Sequence, residues 1–189
     1  YIGNSRPASG SEHHMSHYWE MMFLLDQQPD PLHGTKVGIG TVVAIRLYEM
    51  LKEKREILFP LEEPSFDQEL WTEKIKEAYG PAAPGVLELE KKIGKNSDGE
   101  VLRRRSVFQE HIEEIFKVVN ELPKAEEIIE ILKSMEAPYY PNQINVSEEV
   151  FARGIYYAKD LRNRFGLLQI LFDLDLQEEF IQSLIQEIY

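Results

Sequence analysis

The sequence predicts an all-α fold, and three features of its 189 residues indicate it. Apolar residues recur with a helical period along most of the chain. No segment alternates apolar and polar residues convincingly over the length of a strand. Prolines fall between the periodic segments, where they end one helix before the next begins. We therefore expect a single helical domain over 1–189, a bundle of about eight or nine helices.

The first predicted helix begins near Ser11 and ends near Asp26, and its apolar residues form one stripe. They recur at i, i+3, i+4, i+7 and i+8, which is typical of a helix with one buried face: Met15, Tyr18, Trp19, Met22 and Phe23. Pro29 and Pro31 interrupt the pattern, and a second helix is predicted over 35–54.

The remaining helices are predicted from the same period. They cover 66–79, 84–93, 98–121, 124–136, 147–164, 166–174 and 177–188. Ser65 and Ser147 stand where an N-cap belongs. The polar stretch 91–100, KKIGKNSDGE, is expected to be an exposed loop. The basic run 103–105 is interpreted as a solvated face rather than a phosphate site.

Composition and charge narrow the classes of function. The net charge is −12, so a surface for duplex nucleic acid is not expected. Cysteine is absent, which excludes disulfides and thiolate metal sites and is compatible with the predicted cytoplasmic location. No apolar run is long enough to span a bilayer. The chain opens on Tyr1 without a start methionine, and we expect further sequence upstream.

Four of the five histidines cluster near the start, and they indicate a metal site. His13 and His17 are one turn apart on the same helix face, and the two prolines could return His33 beside them. Imidazole is a common ligand for zinc, nickel and iron, and a third, carboxylate ligand is expected. His14 is interpreted as structural or surface, and His111 as solvated. The alternatives are a structural bundle with incidental histidines, or a vector remnant.

Three stretches of the chain resemble a known family. Residues 6–13, RPASGSEH, followed by Ser16 and His17, resemble the signature of the sn-glycerol-1-phosphate dehydrogenases. These belong with the iron-containing alcohol dehydrogenases, glycerol dehydrogenases and dehydroquinate synthases. Residues 32–38, LHGTKVG, resemble the family's second signature. Residues 158–168, AKDLRNRFGLL, resemble its C-terminal region. The resemblance implies roughly the last half of such an enzyme, its helical metal-binding domain without the α/β nucleotide-binding domain.

The resemblance also implies a reaction and roles for particular residues. The family interconverts dihydroxyacetone phosphate and sn-glycerol 1-phosphate with NAD or NADP, a step of phospholipid metabolism. It implies a divalent metal, zinc or nickel, held by His13, His33 and an aspartate upstream of this chain. His17 matches a histidine of the substrate pocket and is the candidate catalytic residue. Cofactor-binding residues are unknown here, because the glycines of 38–40 lack the third glycine of the dinucleotide fingerprint.

The phosphorylated triose is a dianion, so local positive charge must offset the acidic chain. Arg6 and Lys36 flank the two histidine motifs and are the candidate phosphate contacts. A surface charge or an internal salt bridge is the alternative for each. The expected partners are the missing nucleotide-binding domain and further copies in a homo-oligomer. Two other functions stay open: a different dehydrogenase of the superfamily, such as a glycerol dehydrogenase, or a non-catalytic helical module that binds a metal or partner.

Overall fold

The computed structural model describes residues 10–189, and every regular element in that range is helical, which confirms the all-α prediction. The described residues form ten α-helices: α1 Ser11–Leu25, α2 His33–Lys54, α3 Gln68–Tyr79, α4 Ala83–Ile93, α5 Asp98–Glu110, α6 Ile112–Val119, α7 Ala125–Ser134, α8 Glu148–Tyr157, α9 Leu167–Asp173 and α10 Gln177–Ile188. Four short 3₁₀ turns lie between them: Arg55–Ile57, Gly80–Ala82, Pro141–Ile144 and Ala158–Leu161. Across 10–189, no helix is both long enough and apolar enough to cross a bilayer.

Helix α1 lies at the centre of the packing. Its predicted apolar stripe is buried, and Met15, Tyr18 and Trp19 are fully enclosed. The helix packs along α2 on one side and against α8 and the turn Ala158–Leu161 on the other. One connected apolar core draws on residues from the first helix to the last. The face of α1 that carries His13 and His17 stays partly open beside this core.

A glycine sets the distance between α1 and α2. A Cβ atom on Gly40 would lie 2.7 Å from the backbone oxygen of Glu12, closer than any side chain tolerates. Gly40 therefore permits the close packing of the two helices. At Gly38 a Cβ atom would meet only the Leu132 side chain, at an ordinary 3.6 Å, so the close approach does not require that glycine.

The predicted helix starts are right in one case and wrong in another. Ser147 caps α8, because its hydroxyl accepts a hydrogen bond from the Val150 amide. Ser65 does not cap α3. Asp67 does, because its carboxylate accepts from the amides of Glu69 and Leu70.

The single helix predicted over 98–121 is wrong. The chain leaves the helical conformation at His111, where φ is −107° and ψ is 20°, and α6 begins at the next residue. The break lets Phe116 pack edge-on against Phe108, with ring centroids 6.4 Å apart. Both halves of the segment carry apolar residues, so their period gave no sign of the turn. His111 itself is exposed, as expected.

The polar stretch 91–100 is only partly the exposed loop that was predicted: residues 91, 92 and 97–99 are exposed, but its centre is buried. Lys95 and Asn96 are buried, and they meet Lys159 and Asp160 inside the bundle. The Asp160 carboxylate accepts hydrogen bonds from Lys159 at 2.9 Å and Asn96 at 3.0 Å. The Lys95 ammonium donates to the backbone oxygen of Lys159. Opposite charges that pair with each other can be buried. The composition of the stretch does not reveal these partners, so it predicted exposure.

The basic run of residues 103–105 is only partly solvated, which corrects the second polar prediction. Arg103 is exposed and pairs with Glu100. The guanidinium of Arg104 donates two hydrogen bonds to the nearly buried carboxylate of Asp173, at 2.5 and 2.8 Å. Arg105 donates to the backbone oxygen of Asp173. These two arginines therefore join α5 to α9.

Candidate metal centre

Three histidines meet where α1 lies beside the start of α2. His13 and His17 are one turn apart on α1, and His33 is the first residue of α2. The ring centroid of His33 is 5.5 Å from that of His13 and 5.3 Å from that of His17. The rings of His13 and His17 are 6.3 Å apart. The segment between the helices thus returns His33 to the α1 histidines, as its two prolines led us to expect.

The spacing of these rings fits a shared metal ion. Two imidazoles that bind one ion through nitrogen at about 2.1 Å have ring centroids roughly 5–6 Å apart. His33 stands at such a distance from both His13 and His17. Neutral imidazole nitrogens suit zinc and nickel. The residues present therefore fit a divalent transition metal, with His33 at the centre of the set.

Glu20 is the residue of this site that the sequence analysis did not name. Its Oε1 lies 2.6 Å from Nδ1 of His33, and its Oε2 lies 2.8 Å from Nδ1 of His17. Ligand atoms of these three residues all lie within 4.8 Å of one another, close enough to hold one ion. A signal for it was present: Glu20 follows His17 by three residues, and this spacing places both on one helix face.

The Glu20 carboxylate is held in its ionised form. Burial raises its pKa, but hydrogen bonds from His33 and His17 and the charge of Lys36 outweigh burial and lower it to about 2. At neutral pH the group is therefore an anion that only accepts hydrogen bonds. It meets Nδ1 of both rings and does not contact their Nε2 atoms.

His13 is held by a different carboxylate. Its Nδ1 lies 3.0 Å from Oε1 of Glu12, and the same carboxylate oxygen accepts a hydrogen bond from the Gly10 amide at 2.9 Å. Burial raises the pKa of Glu12, but the His13 hydrogen bond and the backbone amides outweigh burial and lower it. Each of the three imidazoles thus has an acidic partner at Nδ1. The role of His13 and His33 as ligands stays a prediction.

Of the two candidate phosphate contacts, the structure describes only Lys36. Lys36 is fully buried, and its ammonium pairs with Asp30, donates to the backbone oxygen of Pro31 at 2.5 Å and lies 3.3 Å from Glu20. This is the internal salt bridge that the sequence left open as an alternative, and phosphate contact by Lys36 stays a prediction. Arg6 lies outside the described residues.

A cleft of about 450 Å³ opens beside His17, the one histidine of the three that lines it. His14, His17 and Glu20 of α1 line one wall, and Arg162 follows the turn after α8 on another. His14 is buried, and burial lowers its pKa to about 4, so its ring is neutral. The Arg162 backbone oxygen accepts a hydrogen bond from Lys95 at 3.3 Å, which fixes the chain at the cleft wall.

The chain is similar to curated proteins named glycerol-1-phosphate dehydrogenase [NAD(P)+]. It is 30% identical to the one from Geobacillus stearothermophilus over 92% of this chain and 35% of that protein. It is 29% identical to the one from Geobacillus thermodenitrificans over 94% of this chain and 36% of that protein. A shorter match to the Thermococcus kodakarensis protein is 44% identical over 36% of this chain and 18% of that protein.

These similarities cover a defined part of the relatives. The chain spans about a third of the length of the curated relatives it matches. No protein-family model matches the chain. No solved structure matches it either. The similarity covers nearly all of this chain, since fewer than a tenth of its residues lie outside the match.

Proposed function

We propose that this chain is the helical, metal-binding part of an NAD(P)-dependent glycerol-1-phosphate dehydrogenase, because it is similar to proteins of that name over nearly all of its length. One structural observation carries this proposal. Three imidazoles from two helices converge on one face, at spacings that fit a shared ion, and each imidazole belongs to a stretch that resembles a family signature. Incidental surface histidines would have no reason to converge.

The reaction we propose is the reduction of dihydroxyacetone phosphate to sn-glycerol 1-phosphate. A hydride passes from NADH or NADPH to the carbonyl carbon, a proton is added to the carbonyl oxygen, and NAD⁺ or NADP⁺ is released. His13 and His33 would hold a zinc or nickel ion, with an aspartate from outside this chain. The ion would supply Lewis-acid polarisation of the carbonyl group.

We propose that His17 is the residue of this chain that handles the proton. Its Nδ1 is engaged by Glu20 at 2.8 Å, which leaves Nε2 available to a substrate oxygen. We propose that Nε2 passes the proton to the carbonyl oxygen while the hydrogen bond to Glu20 holds the ring in place. His17 lines the cleft, whereas His13 does not.

The charges around the cleft bear on how it could take a phosphorylated triose. Its acidic residues Glu20 and Asp30 share the buried Lys36, so these three groups together keep one negative charge, which the positive charge of Arg162 offsets. Arg162 lines the same cleft, and the described residues show no ion pair for its guanidinium. Since arginine binds phosphate through several parallel N–H groups, we place the substrate phosphate towards Arg162. Arg6 and Lys36 stay proposed as further contacts.

We propose that the nicotinamide nucleotide binds mainly outside residues 10–189. Among residues 10–189 there is no strand, and a dinucleotide fingerprint joins a strand to a helix. We propose that an α/β domain elsewhere in the intact, cytoplasmic enzyme binds NAD or NADP and covers the cleft. That domain also supplies the aspartate ligand.

Metal binding and turnover test this function together. In the intact enzyme, His33→Ala should remove the bound zinc or nickel and abolish reduction of dihydroxyacetone phosphate. His111→Ala is the matched control, because that imidazole is exposed and remote from the centre in sequence. Full metal occupancy and normal turnover in His33→Ala would refute the assignment. Preferential oxidation of glycerol would favour another dehydrogenase of the superfamily. Metal binding without turnover would favour a non-catalytic module.

A further inference from the structure

We propose that Glu20 is the positioning residue of this centre: it does not bind the metal, and it holds His17 and His33 in one tautomer with Nε2 free. The inference rests on the proposed function and deepens it. Glu20 lies between the two rings, with one oxygen at 2.6 Å from His33 and the other at 2.8 Å from His17. A single side chain thus controls a proposed ligand and the proposed proton donor.

The chemistry of the carboxylate fixes the tautomer of both rings. An ionised carboxylate can only accept hydrogen bonds, so the nitrogen that faces it must carry the hydrogen. Nδ1 faces Glu20 in His17 and in His33. A neutral imidazole has one N–H, and the lone pair is therefore on Nε2 in both rings. Nε2 is then the ligand atom of His33 and the proton-carrying atom of His17.

The surroundings of Glu20 favour this role over direct ligation. Its two oxygens already meet two imidazoles, and the fully buried Lys36 ammonium is 3.3 Å from Oε1. Moving the carboxylate onto a metal would remove the partner of both Nδ1–H groups and weaken a buried ion pair. Histidine ligands commonly donate their second N–H to a carboxylate, which orients the ring. Glu20 has that relation to His33, and Lys36 keeps its carboxylate in place.

The substitution Glu20→Gln should have an effect that a loss of stability alone would not produce. A glutamine amide has one accepting oxygen and one donating NH₂ group, so it cannot accept from two rings. Its oxygen can keep one Nδ1–H, but its NH₂ must face a bare Nδ1 on the other ring. One of His17 and His33 should therefore change to the Nε2–H tautomer. Nitrogen-resolved NMR of the histidine side chains, with the neutral rings and no metal, reads this change directly.

The molecule supplies matched controls for that experiment. Glu49→Gln changes a carboxylate on α2 that is 24% exposed, against 26% for Glu20, and that bonds Arg46 instead of an imidazole. It should leave every histidine tautomer unchanged. His13 is an internal control, because its Nδ1 partner is Glu12. We expect Nδ1–H signals for His17 and His33 in the parent chain, and one altered ring in Glu20→Gln alone. Unchanged tautomers in Glu20→Gln would overturn the inference.

Metal affinity provides the second measurement. Removing an orienting partner outside the coordination shell lowers metal affinity by about 10- to 100-fold, and we expect this loss for zinc in Glu20→Gln. X-ray absorption should show no change in the number of bound oxygens between the parent and Glu20→Gln. Loss of one oxygen would overturn the inference, because Glu20 would then be a ligand. The tautomers could also be as expected while the intact enzyme binds no metal. That result would support the orienting role of Glu20 and would refute the proposed function.

Discussion

The substitution Asp160→Asn tests the buried charge cluster that supports one wall of the cleft. Asp160 is almost fully buried, and its carboxylate lies 2.9 Å from the Lys159 ammonium and 3.4 Å from that of Lys95. Burial raises the pKa of Asp160, but the two lysines and Asn96 outweigh burial and lower it. The aspartate is therefore ionised at neutral pH, and the variant removes the anion between two buried cations.

The geometry sets the magnitude of the effect. At these distances each lysine attracts the carboxylate by about 5 kcal/mol, taking an effective dielectric constant of about 20. Most of that attraction offsets the cost of burying the charges. Asp160→Asn removes the attraction but leaves the buried lysine charges without a partner. Breaking a buried pair in this way lowers the free energy of unfolding by about 3–5 kcal/mol. Such a loss is a large fraction of the 5–15 kcal/mol that stabilises an ordinary domain.

Urea unfolding at neutral pH, followed by circular dichroism, measures this loss. Asp26→Asn is the control, since that aspartate is exposed and the change should cost less than about 0.5 kcal/mol. Adding Lys95→Met to Asp160→Asn removes one unpaired cation and should restore part of the stability. A loss below about 1 kcal/mol in Asp160→Asn, or no rescue by Lys95→Met, would refute the account of the cluster.

Three further predictions concern packing, pH and the substrate. Gly40→Ala places a Cβ atom 2.7 Å from an α1 backbone oxygen and should cost about 1–3 kcal/mol in urea unfolding, whereas Gly34→Ala has open space and should be neutral. Burial raises the pKa of Tyr18, so the buried phenol stabilises the fold fully below the unfolded-chain pKa of about 10, and this stabilisation is lost as pH rises above that value. Tyr18→Phe should therefore make the free energy of unfolding fall less steeply at alkaline pH. Arg162→Gln should raise KM for dihydroxyacetone phosphate in the intact enzyme by about 10-fold or more, whereas the exposed Arg103→Gln should not.

Each of these has a contrary result. Equal stability of the Gly40 and Gly34 variants would mean that α1 and α2 are not in backbone contact. Parallel alkaline curves for Tyr18→Phe and the parent would mean that the phenol is not protected by burial. An unchanged KM in Arg162→Gln would remove that residue from the phosphate contacts and leave Arg6 and Lys36 as the candidates.

Periodic segments of the sequence predicted their structure well. The α1 stripe is buried as expected, and α10 covers Gln177–Ile188, the range that its apolar residues indicated. In both cases the period reports the face that meets the core, which is what decides burial. The break at His111 escaped because neither proline nor glycine marks it, and both flanking segments keep a helical pattern.

Polar residues were harder to place, because their environment depends on partners far along the chain. Lys95 meets Lys159 and Asp160, which lie more than sixty residues away, so a local pattern could only predict an exposed loop. The candidate site was likewise predictable only in part. The histidine spacing indicated where three rings converge. The contact of Glu20 with His33 became evident only from the positions of both helices.

Metal stoichiometry tests the central claim most directly. The parent and its His33→Ala variant should be prepared as the intact enzyme, dialysed against zinc or nickel, and measured by elemental analysis with X-ray absorption at the metal edge. We predict one ion for each chain, with imidazole nitrogens among its ligands, and none in His33→Ala. An ion that persists in His33→Ala with unchanged ligands, or a parent enzyme that reduces dihydroxyacetone phosphate without any bound ion, would contradict the proposed metal centre.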